Sequence, residues 1–184
     1  MSLTAVHIAA DIEQSDQFHM ARLLVLLRAS SGISNKPVQG IMKLAKLDFL
    51  LRYPNCLVRA LEHVGRHKQA ADIPQVERDT IEARMIRFRF GPWDGRYRRW
   101  IGLMIAQGLA EAYVHGRTVM VRLTEQGHTV AQQFEGLPEF EAIHRRSKII
   151  NTVFGPLSAT ALKNFIYEVF PEIVGLDWGK HIKL

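Results

Sequence analysis

Two short alternating runs in the second half of the chain, AEAYVH and TVMVRL, constrain its fold more than any other feature. They are joined at His115-Gly116, and apolar-polar alternation on both sides of such a pair is typical of a β-hairpin over residues 110–124. Thr124 stands at the N-cap position of a following helix, TEQGHTVAQQF. The pattern predicts a small antiparallel sheet in an otherwise helical chain.

The residues before the hairpin extend this pattern. MIRFRF alternates strictly and predicts a strand, although a continued helix would also bring Ile81, Met85 and Phe88 together. GPWDG predicts a rigid turn in which Asp94 caps the next helix, RYRRWIGLMIAQG, with Ile105 among its inward-facing residues. Gly108 is predicted to end this helix in a left-handed conformation. Helix, strand, helix, hairpin, helix is the order of a winged helix with the hairpin as its wing.

The first third of the chain predicts three helices. DQFHMARLLVLLRAS predicts a helix that is capped by Asp16 or Ser15 and leaves Arg22 and Arg28 to solvent. A second helix starts at Ser34 or Asn35 with Pro37 in its first turn, and a third follows Pro54. Three helices joined by short turns resemble a helix-turn-helix core. The predicted class is mainly α (α+β), winged helix-turn-helix-like, with additional N- and C-terminal helices.

The chain divides into three predicted parts that form one compact body. Residues 1–70 are helical, residues 75–136 carry the winged element, and residues 137–184 are helical again. The polar stretch KQAADIPQ at 68–75 predicts a loop between the first two parts. Residues 1–15 lack a clear period, so the sequence leaves their order open.

The positive charge of the protein is concentrated in one segment. Residues 84–122 hold eight arginines and no lysine against two acidic residues, a balance of +6 that equals the net charge of the whole chain. Arginine combines forked hydrogen bonding with stacking on rings, which suits phosphate or carboxylate.

This arginine segment, residues 84–122, is the first candidate site. As a basic face of strand, helix and wing it would bind nucleic acid or an acidic protein partner, and the sequence favours neither. In the structural alternative Trp93, Tyr97 and Trp100 belong to the core and the arginines pair with acidic residues of the same chain. The candidate binding residues are Arg87, Arg89, Arg96, Arg98, Arg99, Arg117 and Arg122.

The sequence contains no recognisable catalytic, metal or cofactor motif. His63 and His67 have metal-ligand spacing, but no third ligand accompanies them, so no metal and no cofactor is predicted. Cys56 lies among apolar residues and is expected to be packed rather than reactive. Asp48 in an apolar helix predicts a structural ion pair or hydrogen bond. We therefore expect a protein that is not an enzyme.

Compartment and partner surface follow from two further observations. A single cysteine, no signal-like N-terminus and no apolar run long enough to cross a bilayer predict a cytoplasmic protein.

Lys43, Lys46 and Arg52 predict a second, weaker basic face or simply a solvated side of their helix. The late helix TALKNFIYEVF has an apolar face that either packs on the protein's own body or docks a partner. The candidate docking residues are Phe165, Ile166, Phe170 and Trp178.

Four ordered pieces of the chain carry a resemblance to a known family. They are KLAKLDFLLRYP at 43–54, ARMIRFRFGPWDGRY at 83–97, LTEQG at 123–127 and LKNFIYEVFPEIVG at 162–175. Together they resemble the middle components of bacterial ABC-three component systems, which accompany an SMC-like ATPase in anti-phage defence loci of the Lamassu type. The resemblance covers most of the chain, from about residue 33 to 175, and LTEQG alone is its least specific piece.

The resemblance implies a non-catalytic winged-helix accessory subunit. Such a subunit would bridge or regulate an SMC-like ATPase and an effector such as a nuclease, and would touch double-stranded DNA. The alternative hypothesis is a free-standing winged-helix transcription regulator that forms a homodimer through its terminal helices. A regulator would bind one defined duplex without a partner, whereas a complex subunit would need its ATPase.

Overall fold

The computed structural model describes residues 15–32, 35–78, 86–88, 91–175 and 177, with the backbone alone for residues 86–88 and 91–93. This part of the chain is mainly helical and contains a three-stranded antiparallel sheet and a separate two-stranded sheet. The α+β class predicted from the sequence is confirmed.

The helices follow the chain in ten segments of the described residues. They are α1 (Asp16–Ser31), α2 (Ile41–Arg52), α3 (Pro54–His63), α4 (His67–Ala71), α5 (Gln75–Arg78), α6 (Tyr97–Ala106), α7 (Glu125–Glu135), α8 (Glu141–Phe154), α9 (Ala159–Val169) and α10 (Pro171–Val174). A 3-10 turn at Pro138–Phe140 precedes α8. The strands are β1 (Val38–Gln39), β2 (Ile86–Phe88), β3 (Gly91–Trp93), β4 (Ala110–His115) and β5 (Thr118–Leu123).

The predicted hairpin forms the three-stranded sheet together with an unexpected third strand. β4 pairs with β5 from Ala110↔Leu123 to His115↔Thr118, as predicted, and β1 pairs with the other edge of β5. The strand predicted from MIRFRF exists as β2, but it pairs with β3 instead of joining the hairpin. The sheet therefore takes its third strand from the N-terminal part of the chain.

Helix α1 forms the centre of the core. The Ser15 hydroxyl caps it by accepting a hydrogen bond from the Phe18 backbone N–H, as predicted. Every residue from 19 to 27 is buried, because α6, α7, α8 and β5 all pack against this helix. The apolar run LLVLL continues around the helix and suits this burial on all sides.

Arg22 and Asp48 form an ion pair inside the core, between α1 and α2. Arg22 Nε and Nη2 donate to the two carboxylate oxygens of Asp48 at 2.8 and 3.0 Å, and neither side chain is more than 1% exposed. Tyr97 Oη from α6 donates to Asp48 Oδ2 at 2.5 Å. We call Arg22, Asp48 and Tyr97 the buried ion cluster.

The buried ion cluster keeps Asp48 charged. Burial opposes ionisation, but the charges of Arg22 and Arg52 and hydrogen bonds from Arg22 and Tyr97 hold the pKa of Asp48 below its ordinary value. The predicted structural role of Asp48 is therefore confirmed. The expectation that Arg22 faces solvent is wrong, because α1 is covered on all sides and the guanidinium has its acid partner inside the core.

The second helix begins later than the sequence predicts. Val38 pairs with Val121 in the sheet, Gly40 turns the chain with a φ of 98°, and α2 starts at Ile41. The predicted start at Asn35 is wrong, and Ser34 lies outside the described residues. Pairing with β5 holds these residues as a strand, although Pro37 favours the first turn of a helix. A two-residue strand is too short to show the alternation that would have predicted it.

The region between α3 and α6 also departs from the prediction. The expected loop at 68–75 contains most of α4 and the first residue of α5. Ala70 and Ile73 are buried and hold this segment against the core. The helix expected from Gln75 is described over α5, and the remainder of its range lies outside the described residues. The predicted GPWDG turn is wrong for its first three residues, which form β3, since β2 offers them backbone partners.

Helix α7 docks closely on the base of the hairpin through Gly127. A Cβ on Gly127 would lie 1.8 Å from the carbonyl oxygen of Leu109, so a side chain does not fit there. Thr124 caps α7 as predicted, and its hydroxyl also donates to the carbonyl of Gly108, which adopts the predicted left-handed conformation. The glycine of LTEQG is thus a packing requirement that joins the hairpin to α7.

Candidate nucleic-acid interface

Helix α6 presents one face to the core and the opposite face to solvent. Tyr97, Trp100 and Met104 are fully buried, whereas the side chains of Arg98 and Arg99 are exposed. Ile105 was predicted to face inward and is instead 42% exposed, because it lies beside the buried stripe in the last turn. The core anchors the helix and leaves two consecutive arginines on its outer face.

Asp94 organises the start of α6 and neutralises Arg96. Its Oδ1 accepts from the backbone N–H of Arg96 at 3.0 Å, and its Oδ2 accepts from Arg96 Nη2 at 2.8 Å. The predicted cap by Asp94 is wrong, because Arg96 holds the N-cap position and Asp94 binds this residue rather than an N–H of the helix itself. The Arg96 guanidinium also lies 4.9 Å from the ring centroid of Trp100. Arg96 is therefore held by its own chain, as the structural alternative predicts.

The carboxylate of Asp94 has a second arginine partner. Arg52 Nη1, on α2, donates to Asp94 Oδ2 at 3.2 Å from a side chain that is itself buried. Burial opposes ionisation of Asp94, yet hydrogen bonds from Arg96 and the charges of Arg52 and Arg96 hold its pKa well below the ordinary value. Asp94 thus links the core to the outer face of α6.

Arg99 is paired but remains accessible. Its Nη2 lies 2.7 Å from Asp16 Oδ2 at the start of α1, and its side chain is 69% exposed. Trp100 Nε1 donates to the other oxygen of Asp16 at 2.9 Å. The Asp16 carboxylate is held by the indole, and the guanidinium of Arg99 is the more exposed partner of this surface pair.

On the hairpin, Arg122 pairs across the strands. Arg122 Nε donates to Glu111 Oε1 at 2.6 Å, and these residues face each other in the β4–β5 register. The Arg122 guanidinium also lies 5.5 Å from the ring centroid of Tyr113. Arg122 is thus partly neutralised within the sheet.

Two of the candidate arginines are exposed without an acidic partner in the described part of the chain. Arg98 lies on the outer face of α6, and Arg117 lies in the turn at the tip of the hairpin. Arg87 is described only through its backbone in β2, and Arg89 lies outside the described residues. The segment's positive charge is therefore smaller at its described surface than the sequence implies, and it is centred on α6 and the hairpin tip.

The hairpin projects from the body of the protein. Residues 111–115 of β4 are exposed although they alternate between the two faces of the strand. At the end of the hairpin Val114 is 70% exposed and its cross-strand partner Val119 is 37% exposed. Both faces of this end are open to a partner, and the tip carries Arg117.

Most of the predicted C-terminal docking face belongs to the core. Ile166 and Phe170 are fully buried, and the Phe165 ring packs 5.2 Å from the ring of Phe154. Ile166 and Phe170 are therefore unavailable to a partner of the folded chain, and the alternative of packing on the protein's own body holds for them. The remaining candidate, Trp178, lies outside the described residues.

The other residues singled out by the sequence have structural surroundings. Burial raises the pKa of Cys56 to about 12, so its thiol is protonated and packed as expected. His63 Nε2 lies 3.0 Å from Glu168 Oε1. Among the described residues, no group of three or more His, Cys, Asp or Glu side chains is arranged to hold a metal ion. These positions carry no sign of chemistry.

Two basic residues of α2 are buried, contrary to the prediction. Lys46 and Arg52 were assigned to a weak basic or solvated face, yet both are only 1% exposed. Lys46, Arg52 and Arg22 are thus cations buried in apolar helices. The sequence does contain a pattern that predicts such burial. A charged residue inside an apolar stripe on each of two neighbouring helices predicts a mutual pair, as Arg22 and Asp48 form.

Comparison with protein-family models, with curated proteins and with solved structures finds no match for this chain. Within the described ranges, no helix is both long and apolar enough to cross a membrane.

Proposed function

We propose that this chain is a non-catalytic winged-helix subunit that holds the backbone of duplex DNA with α6 and the β4–β5 hairpin. It would act in the cytoplasm as the middle component of an anti-phage defence complex, between an SMC-like ATPase and an effector such as a nuclease. The observation that carries the DNA-binding part is the exposure of Arg98 and Arg117 without an acidic partner in the described part of the chain.

The order of the elements supports the winged-helix interpretation. α1, β1, α2, α6 and the β4–β5 hairpin follow one another along the chain, and the sheet order is β1-β5-β4. A winged helix places its strands in this order and its third helix directly before the wing. On this reading residues 53–96 are an insertion before the third helix, and α6 takes the position of the recognition helix.

The chemistry of the exposed arginines supports binding to phosphate rather than reading of sequence. Arg98 projects from the helix that would face the major groove, and Arg117 from a tip that would reach the flanking backbone. Arg99 adds a third guanidinium if phosphate displaces Asp16 from its exposed side. So few contacts give modest, salt-sensitive affinity, which suits a subunit that a larger complex brings to DNA.

The partner assignment rests on the resemblance alone. Its pieces coincide with core positions of the structure: Asp48 and Lys46 lie in KLAKLDFLLRYP, and Gly127 lies in LTEQG. Two chains with the same fold would share residues that are buried in the core or that allow close packing. The resemblance therefore supports a common fold first and a common ATPase partner through it.

The DNA proposal is tested by titrating two unrelated duplexes of about 20 base pairs at salt concentrations between about 50 and 200 mM. We expect similar affinities for both sequences and a loss of affinity as salt rises. The double variant Arg98→Ala/Arg117→Ala should bind several-fold more weakly, with a salt slope smaller by about two phosphate contacts. Unchanged affinity in this variant overturns the assignment of the interface.

The matched control is Arg59→Ala/Arg66→Ala, which likewise removes two positive charges from exposed side chains, one on α3 and one just after it. This variant should bind DNA like the wild type. Purification of the tagged protein from its own host should bring down an SMC-like ATPase with both variants. Tight binding of one duplex by the isolated protein would instead favour the transcription regulator.

A further inference from the structure

A cavity of about 360 Å³ lies between the end of α1, strand β1, helix α2 and the turn that joins α8 to α9. Its polar lining includes Ser30, Lys36, Lys43, Asn151 and Ser158. This volume is within the range of small-molecule sites in proteins. The cavity shares no residue with the arginine segment, so it is a separate feature of the molecule.

The charged side chains that line this cavity are both lysines. Lys43 Nζ donates to the carbonyl oxygen of Gly155 at 2.7 Å and keeps two further N–H donors. Lys36 is exposed at the rim. In the described part of the chain neither lysine forms an ion pair with an acidic residue, so their charge is uncompensated.

Two more lysines increase the positive potential beside the cavity. Lys46 lies one turn after Lys43 on α2, is only 1% exposed and donates to the carbonyl oxygen of Met42 at 2.9 Å. Burial, and then the nearby charge of Lys163 on α9, lower the pKa of Lys46 to about 8. Burial also lowers the pKa of Lys43. A nearby anion would offset the cost that burial places on the charges of Lys43 and Lys46.

The neutral groups of the lining can supply further hydrogen bonds. The Ser158 hydroxyl accepts from the Ala161 N–H and still has its own proton to donate. The side-chain amide of Asn151 has no hydrogen-bond partner among the described residues and can donate as well. Lys43, Lys36, Asn151 and Ser158 thus present several donors to one space.

We propose that this cavity binds a small molecule that carries a phosphate monoester, with Lys43 and Lys36 as the charged contacts. A phosphate dianion has enough acceptor oxygens to use all of these donors together, and lysine binds phosphate well as a point charge. A carboxylate would leave part of the set unsatisfied. The site does not depend on the proposed DNA interface.

The test is a titration of the full-length protein with inorganic phosphate and with adenosine monophosphate, followed by backbone amide NMR shifts. We expect saturable shifts near Lys43, Asn151, Gly155 and Ser158 with both probes. Lys43→Met should weaken binding at least about tenfold. A saturable response that leaves these amides unmoved, or no saturation up to about 10 mM, overturns the proposal.

Two variants keep this test decisive. Lys148→Met makes the same change at an exposed lysine of α8 outside this cavity and should bind both probes like the wild type. If Lys43→Met fails to fold, Lys36→Met replaces it, because Lys36 is exposed and should weaken binding at least about threefold. Equal affinity of Lys36→Met and Lys148→Met would assign the effect to overall charge and overturn the site. Competition by unphosphorylated duplex DNA for the same amides would also overturn it.

Discussion

Arginine occupies two opposite environments in this protein. Arg22 and Arg52 are buried and donate to Asp48 and Asp94, whereas Arg98 and Arg117 are exposed without an acidic partner in the described part of the chain. The buried pair lies outside the segment that carries the net charge, and the exposed pair lies inside it. Burial by neighbouring helices, rather than local charge density, therefore separates the arginines that stabilise the fold from those available to a ligand.

The largest expected effect comes from opening the buried ion cluster. Arg22→Met leaves the Asp48 carboxylate buried with its main partner removed, and breaking such a pair costs about 3–5 kcal/mol. Asp48→Asn should cost a similar amount, because it leaves the guanidinium of Arg22 without a counter-charge. Denaturant unfolding measures both. A loss below about 1 kcal/mol would place Arg22 with the surface arginines.

The double variant Arg22→Met/Asp48→Asn sharpens this result. Because the two residues are in direct contact, the double variant should lose less stability than the sum of the single variants. If the losses in free energy of unfolding of the two single variants add up to that of the double variant, the two residues are not coupled.

The low pKa of Asp48 also makes the wild type lose stability as the pH falls below the ordinary aspartate range, and Asp48→Asn should lack this contribution. Denaturant unfolding across this pH range measures the difference.

Lys46 tests what happens to a buried cation that has no acid beside it in the described part of the chain. Its pKa is lowered from 10.5 to about 8, so the folded state disfavours the charged form. Lys46→Met removes the cost of burying this charge, at most about 3 kcal/mol, but also the hydrogen bond to the Met42 carbonyl, worth about 1 kcal/mol. Stability at neutral pH should therefore rise by about 1–2 kcal/mol. This is the opposite sign to Arg22→Met, and denaturant unfolding at pH 7 decides between them.

The pH dependence of the same variant gives a second measurement. The unfolded chain binds more protons at Lys46 between about pH 8 and 10.5, so this residue makes wild-type stability rise across that window. The raised pKa values of Cys56 and Tyr97 act in the opposite direction in both proteins. Their contributions are the same in both proteins, so they drop out of the difference in free energy of unfolding between Lys46→Met and the wild type. This difference should shrink as the pH rises. A constant difference would contradict the assignment.

The smallest effects are expected at the surface arginines. Arg98→Ala should change the free energy of unfolding by no more than about 0.5 kcal/mol, since its side chain is exposed and unpaired within the described residues. Arg122→Ala breaks an exposed cross-strand pair with Glu111 and should cost about 0–1 kcal/mol. Thermal unfolding of both variants beside Arg22→Met measures the contrast directly. A large loss at Arg98 would end the distinction between the two environments.

The sequence predicted those features that depend on neighbouring residues. The hairpin, the caps at Ser15 and Thr124, and the left-handed Gly108 are all local, and the structure contains them. The prediction failed where contacts between distant parts of the chain determine the structure. β1 forms because β5 offers it an edge, and nothing in Val38–Gln39 indicates a strand.

The candidate site follows the same rule. The sequence named the arginines of α6 and the hairpin, but it did not show which of them pair with an acid of the same chain. Arg96 pairs with Asp94 only two residues earlier, whereas Arg99 pairs with Asp16, which only the fold brings close. The docking residues Ile166 and Phe170 failed for a related reason: an apolar helix face has the same pattern whether its own chain or another covers it.

The complete burial of α1 has a consequence for how the protein is made. α1 is the first described helix, yet α7 and α8, which cover it, are synthesised about a hundred residues later: Arg28 of α1 pairs with Glu135 of α7 across 107 positions. Contacts of such long range form late in folding. On the ribosome, the apolar run of α1 would therefore wait uncovered for most of translation, and during this time it is a natural site for a chaperone.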